Sequence, residues 1–277
     1  MDLHTFDAAG VSIAYLESGD GPLTLLIHGF TGSAETMTKL GEDLNVSGRT
    51  ISVDLIGHGR SDSPTDVAHY SMDAAVRHLT ALIAETGSAQ VDLVGYSLGG
   101  RVALSFAVAH PSRVRSLALI GATAGLADLD DAAARRSADH ELAADIESQG
   151  VGAFVDRWMA LPMWRSLESR SGQTAWAASR RQRLANSPIG LANSLRGMGT
   201  GAMPALHRQL ESLEVPTLLV VGAEDAKFMV VAESLRDSLP DADLAIVKEA
   251  GHAAHLEQPG RTAAAISDHI IQQRTET

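Results

Sequence analysis

The sequence predicts an α/β protein, a mostly parallel β-sheet flanked by helices and interrupted by a helical insertion. Three observations predict it. Apolar runs of strand length alternate with segments of helical period in both halves of the chain. Several of these runs are apolar along their whole length, as strands buried on both faces of a parallel sheet are. Between residues 123 and 204 no strand-like run occurs, only Ala-, Arg- and Leu-rich helical stretches broken at Gly150, Pro162, Gly172 and Pro188.

The elements follow in order. Residues 4–6 and 12–15 read as a hairpin around Ala9-Gly10, the second arm alternating as a half-buried strand does. Strands follow at 23–27 and 49–53, the latter entering the Gly57-His58-Gly59-Arg60-Ser61 loop. Met72, Ala75, Val76, Leu79, Leu82 and Ile83 then recur at helical spacing. A strand at 90–94, a helix at 99–110 and a strand at 114–120 complete the first crossovers, which makes the sheet parallel there. After the insertion come a strand at 217–221, a helix presenting Met229, Ala232, Leu235 and Leu239, a strand at 242–247 and a closing helix from about Gly260. The expected organisation is a core of residues 1–122 and 205–277, with 123–204 as a helical lid over the C-terminal edge of the sheet.

Chemistry enters at Gly95-Tyr96-Ser97-Leu98-Gly99-Gly100-Arg101, between the 90–94 run and the next helix. A Gly-x-Ser-x-Gly so placed is a nucleophile elbow, with Ser97 exposed at the apex of a sharp turn. The Leu98 N–H and the positive end of the helix dipole face the place where an oxyanion would form. A second apolar strand ends in His28-Gly29-Phe30, and the Phe30 N–H is the matching oxyanion donor. Val220-Val221-Gly222-Ala223-Glu224-Asp225 delivers a carboxylate, and Ala250-Gly251-His252 an imidazole. Asp is also a common N-cap and the chain has 11 histidines, so position rather than residue type carries the assignment. All three polar residues lie just past predicted strand ends, the edge where open α/β sheets hold ligands. His28 and His58 read as structural.

Composition bounds the rest. An apolar content of 45% suits a soluble globule, and the absence of cysteine excludes disulfides, thiolate metal sites and a cysteine nucleophile. Met1-Asp2-Leu3-His4 has neither the basic nor the apolar region of a secretory signal, and no apolar run reaches membrane-span length, so a cytoplasmic location is expected. A net charge of -12 argues against nucleic acid or an anionic membrane as partner. Arg165, Arg170, Arg180, Arg181, Arg183 and Arg196 nonetheless stand against Glu168 alone in residues 165–205, a local excess that a solvated helix face or an arginine-rich genome would explain. No His, Asp or Glu cluster has ligand spacing and no Gly-rich loop has dinucleotide context, so no metal or organic cofactor is implied. The residues alone leave three uses open. They suit ester hydrolysis, carbon–carbon bond hydrolysis, or a non-catalytic sensor that would need an exposed apolar docking patch.

With its chain order Ser97, Asp225, His252, the sequence resembles the α/β-hydrolase superfamily over nearly its whole length. Within it, the chain is similar to the 2-succinyl-6-hydroxy-2,4-cyclohexadiene-1-carboxylate synthases of menaquinone biosynthesis. That likeness rests on the elbow, on Leu195-Arg196-Gly197-Met198-Gly199-Thr200-Gly201 with Pro204, on Gly222-Ala223-Glu224-Asp225-Ala226-Lys227-Phe228, and on Gly251-His252-Ala253-Ala254-His255-Leu256-Glu257-Gln258-Pro259. It departs from those relatives at Ile56, Ala223 and His207. The resemblance implies a lyase that removes a ring proton and expels pyruvate from a small polycarboxylate. Ser97 would be the base, His252 its activator and Asp225 the orienting acid, with Phe30 and Leu98 as oxyanion donors. It further implies that Tyr96, Arg101, Arg135, Trp158 and Arg183 bind substrate, with Arg136 and Arg181 as close competitors for the two lid arginines.

Overall fold

The computed structural model describes residues 1–44 and 48–275. Its eight strands are β1 (Asp2–Asp7), β2 (Ser12–Ser18), β3 (Leu23–Ile27), β4 (Arg49–Val53), β5 (Val91–Tyr96), β6 (Val114–Ile120), β7 (Thr217–Gly222) and β8 (Ala242–Val247). They form one sheet in the order β1-β2-β4-β3-β5-β6-β7-β8. β1 pairs with β2 and β2 with β4 in antiparallel fashion, and every other pairing is parallel.

Period-2 alternation of fully apolar strands explains why the sheet is covered on both sides. Leu25, Ile27, Leu93, Leu117, Leu119, Leu219 and Val221 join one core cluster. Their neighbours Leu26, Val94, Ala118, Ile120, Leu218 and Val220 join another on the opposite face. The helices supply the matching surfaces: α1 (Thr38–Leu44), α2 (Met72–Glu85) and α3 (Leu98–Ala109) lie in the first half of the chain. All six residues expected on one face of α2 are buried, and Ser71 caps its start by accepting from the Ala74 N–H.

The insertion consists of α4 (Leu129–Met159), α5 (Arg165–Leu184) and α6 (Pro188–Met198). Gly150 at φ 83° and Gly172 at φ 70° break α4 and α5 where the sequence signals a break. Pro162 opens a short turn and Pro188 occupies the first position of α6 behind a Ser187 cap. Ala143, Ile146, Phe154, Val155 and Met159 of α4 pack with Leu191, Ala192 and Leu195 of α6 into a third cluster, so the insertion carries an apolar core of its own. After it come α7 (His207–Leu210), α8 (Ala226–Ser238), α9 (Ala254–Glu257) and α10 (Pro259–Thr275). α10 is tied to the sheet by Arg274, which donates to the buried carboxylate of Asp92 at 2.7 Å and to the Pro22 carbonyl at 3.0 Å.

Candidate active site

Tight backbone packing shapes the turn after β5. A Cβ on Gly95 would lie 2.4 Å from the Gly99 carbonyl oxygen, and one on Gly99 would lie 2.1 Å from that of Ile27, so only glycine lets α3 start this close to the sheet. Ser97 takes the strained conformation between them, at φ 51° and ψ -107°. Its Oγ lies 3.3 Å from His252 Nε2, and His252 Nδ1 lies 2.7 Å from Asp225 Oδ2. Asp225 also caps α8, accepting from the Phe228 N–H at 3.3 Å through its other oxygen. The N-cap reading of this residue thus holds, and the same carboxylate also faces His252. Phe228 packs on the His252 ring at 4.5 Å and limits its freedom.

Peptide geometry orients the Phe30 N–H. The Gly29 carbonyl accepts from the Gly32 N–H at 2.9 Å and faces His28 Nδ1 at 2.8 Å. Because His28 Nε2 accepts from the Leu55 N–H at 3.1 Å, the ring proton sits on Nδ1, which donates to Gly29. In a trans peptide the N–H points opposite the C=O, so these bonds turn the Phe30 N–H away from the core. Leu98 is the first residue of α3, where N–H groups lack intrahelical partners.

A cavity of about 760 Å³ brings most of the expected residues together. Phe30, Tyr96, Ser97, Leu98, Asp225 and His252 line it, as do Arg101, Arg135 and Trp158. Arg136 is not among the lining residues and donates to the Gly201 carbonyl at 3.1 Å. Neither Arg181 nor Arg183 lines the cavity. Arg183 is buried, stacks 4.4 Å from the Trp164 ring centroid and donates to Thr31 Oγ1. Arg183 therefore lies against Trp164, a lining residue, and is not itself among the residues that line the cavity.

The basic segment also takes a different role. Arg170 pairs with Glu224 and Glu257, Arg180 with Asp156, and Arg196 with Glu147. Three of its six arginines are thus paired with acids elsewhere in the chain, and the cations that line the cavity are Arg101, Arg135 and Lys227. Arg101 donates to the Met198 carbonyl at 2.5 Å, and burial lowers its pKa to about 10, which leaves it charged at neutral pH. Arg135 holds Asp139 at 2.9 Å. Lys227, Trp164 and Ser194 are lining residues to which the sequence reading assigned no role. For Trp164 a signal existed, an aromatic in the Pro162-Met163-Trp164 turn of an otherwise Arg- and Ala-rich stretch. Tyr96 Oη, Trp158 Nε1 and Ser194 Oγ, all on lining residues, are buried without a protein hydrogen-bond partner. Among the described residues, no group of three or more His, Asp or Glu side chains could hold a metal ion. Nor is any helix among them long and apolar enough to cross a membrane.

Three buried histidines around the site stay neutral. Burial is the main cause, lowering the pKa of His28 to about 4 and those of His58 and His255 to about 3. In the unfolded chain each would protonate below about 6.5, so acid favours unfolding. Their stabilising contribution is complete above that pH and is lost as pH falls towards the folded values. The urea midpoint is expected to fall steadily from pH 6.5 to 4, and a flat midpoint over that window would contradict this account.

Comparison with known proteins follows the same lines. A family model described as the alpha/beta hydrolase fold matches residues 22–259. A protein of Bacillus subtilis (strain 168) with the provisional name 2-succinyl-6-hydroxy-2,4-cyclohexadiene-1-carboxylate synthase is 38% identical over 262 residues, covering 93% of this chain and 95% of that protein. MenH from S. aureus superposes with a TM-score of 0.88 at 27% identity, over 94% of this chain and 98% of the other. A thermophilic esterase from Thermogutta terrifontis, solved with malate bound, gives 0.86 at 26% identity over 97% of each.

Proposed function

The chain belongs to the alpha/beta hydrolase fold family, and from that premise we propose that it is a 2-succinyl-6-hydroxy-2,4-cyclohexadiene-1-carboxylate synthase. Its substrate would be 2-succinyl-5-enolpyruvyl-6-hydroxy-3-cyclohexene-1-carboxylate, from which it would eliminate pyruvate. One observation carries the reading: Arg101, Arg135 and Lys227 open onto the same cavity as Ser97. That substrate bears three carboxylates, on the ring, the succinyl arm and the enolpyruvyl group. A neutral ester calls for no such set of cations, whereas guanidinium forks match carboxylates.

In this reading His252 takes the Ser97 proton, and Ser97 Oγ takes the proton from ring carbon 2, next to the succinyl carbonyl. Asp225 holds the imidazole and stabilises its cation. The Phe30 and Leu98 N–H groups stabilise the oxyanion that forms as the carbonyl enolises. Collapse makes the 2,3 double bond, moves the existing one to 4,5 and breaks the bond from carbon 5 to oxygen. Pyruvate leaves as its enolate and takes up a proton on its methylene carbon. A serine esterase is the second reading, supported by the hydrogen-bonded Ser97-His252-Asp225 relay and by the likeness to the malate-bound esterase.

Pyruvate release from freshly generated substrate, beside p-nitrophenyl ester cleavage, separates the two. Fast pyruvate release with feeble ester cleavage is the expected result. Robust ester cleavage without pyruvate would overturn it in favour of the esterase.

A further inference from the structure

Thr31 is the residue after the candidate oxyanion donor Phe30, and it is fully buried. It sits at φ 66°, in a Gly29–Gly32 turn closed by the Gly32 N–H to Gly29 carbonyl bond. The third position of such a turn wants glycine, and a β-branched residue there is an outlier. A strained conformation of this kind persists only where its surroundings over-determine it. The surroundings here belong to the insertion. The Thr31 carbonyl accepts from Gln182 Nε2 at 3.1 Å and from Asn186 Nδ2 at 3.0 Å, and its hydroxyl accepts from Arg183. Asn186 is itself fixed, since its Nδ2 also donates to the Arg183 carbonyl at 3.1 Å and its Oδ1 accepts from the Gly59 N–H at 3.1 Å.

We propose that Gln182 and Asn186 are positioning residues that clamp Thr31 and thereby set the Phe30 N–H, so that the oxyanion site is complete only when the end of α5 is seated on the core. The core holds one end of this turn, through His28 and the Gly29 carbonyl; the insertion holds the other. Neither Gln182 nor Asn186 lines the cavity, so their effect on chemistry passes through Thr31. The proposal rests on the reading of Phe30 as an oxyanion donor, which elimination and ester hydrolysis share.

The test is a cycle between Gln182→Ala/Asn186→Ala and Thr31→Gly, because glycine adopts positive φ without a clamp. In the otherwise native protein the pair is expected to lower kcat roughly 30-fold, less than the about 100- to 1000-fold cost of removing an oxyanion donor because the N–H is misaimed and not lost, with KM within about threefold. In the Thr31→Gly protein the same pair should cost under about threefold. Amide exchange at residues 29–32 should speed at least about tenfold in the pair variant and stay unchanged in β5, a readout that needs no substrate. Unchanged kcat and exchange would overturn the clamp. So would a rise in KM alone, or equal losses with and without Thr31→Gly. A wild-type protein that cleaves only esters would refute the elimination reading and leave the clamp to be judged on the ester.

Discussion

The Ser97→Ala protein is expected to fold as the wild type does and to release pyruvate about a thousandfold more slowly, the middle of the range for loss of a positioned general base. The substitution removes only an oxygen that lies 3.3 Å from His252 Nε2, and alanine tolerates the strained backbone no worse than serine. Thermal unfolding should therefore be nearly unchanged while single-turnover pyruvate release collapses. Without Oγ, His252 would have to reach ring carbon 2 itself, from behind the place the serine oxygen occupied. An active Ser97→Ala protein would remove the proposed mechanism, because neither elimination by a serine base nor a serine nucleophile survives it.

Replacing Arg101 by methionine is expected to lower kcat/KM on the tricarboxylate about a hundredfold and to change p-nitrophenyl acetate cleavage less than threefold. Arg101 is 8% exposed, so a substrate carboxylate bound to it would be largely shielded from water and the charge-assisted bond would be worth far more than a surface pair. Methionine keeps most of the stem volume, which limits collapse around the Met198 carbonyl that the guanidinium now contacts. Comparing the two substrates separates lost recognition from a damaged site. Equal losses on both would mean that Arg101 supports the wall and does not read the substrate.

The sheet was legible because its signals are local. The runs at 23–27, 49–53, 114–120 and 242–247 coincide with β3, β4, β6 and β8; β3, β4 and β6 are buried along nearly their whole length, whereas β8 lies at the sheet edge and is only partly buried. The β5 boundary shifted by a residue at its start because the sequence pattern does not fix where pairing with β3 and β6 begins. Ser97, Asp225 and His252 could be proposed from their places after strands, whereas Arg101 rested on the family resemblance, its helical spacing only placing it near Ser97. The insertion yielded less. Whether an arginine there meets ligand, acid or aromatic depends on how α4 and α5 dock, and that depends on contacts more than a hundred residues apart, such as Gln182 to Thr31. Arg183 and Trp164 compete for the same wall, and no pattern of residue types decides which one faces the cavity.

The backbone of Ser97 has an evolutionary consequence. A residue held at φ 51° and ψ -107° burdens the native state by about 1–3 kcal/mol, and glycine at that place would relieve it. A laboratory screen that scores only folded yield or heat resistance would therefore reward the loss of the serine hydroxyl. Variants rising in such a screen would be drawn towards inert scaffolds, and only a screen coupled to turnover would keep the elbow intact.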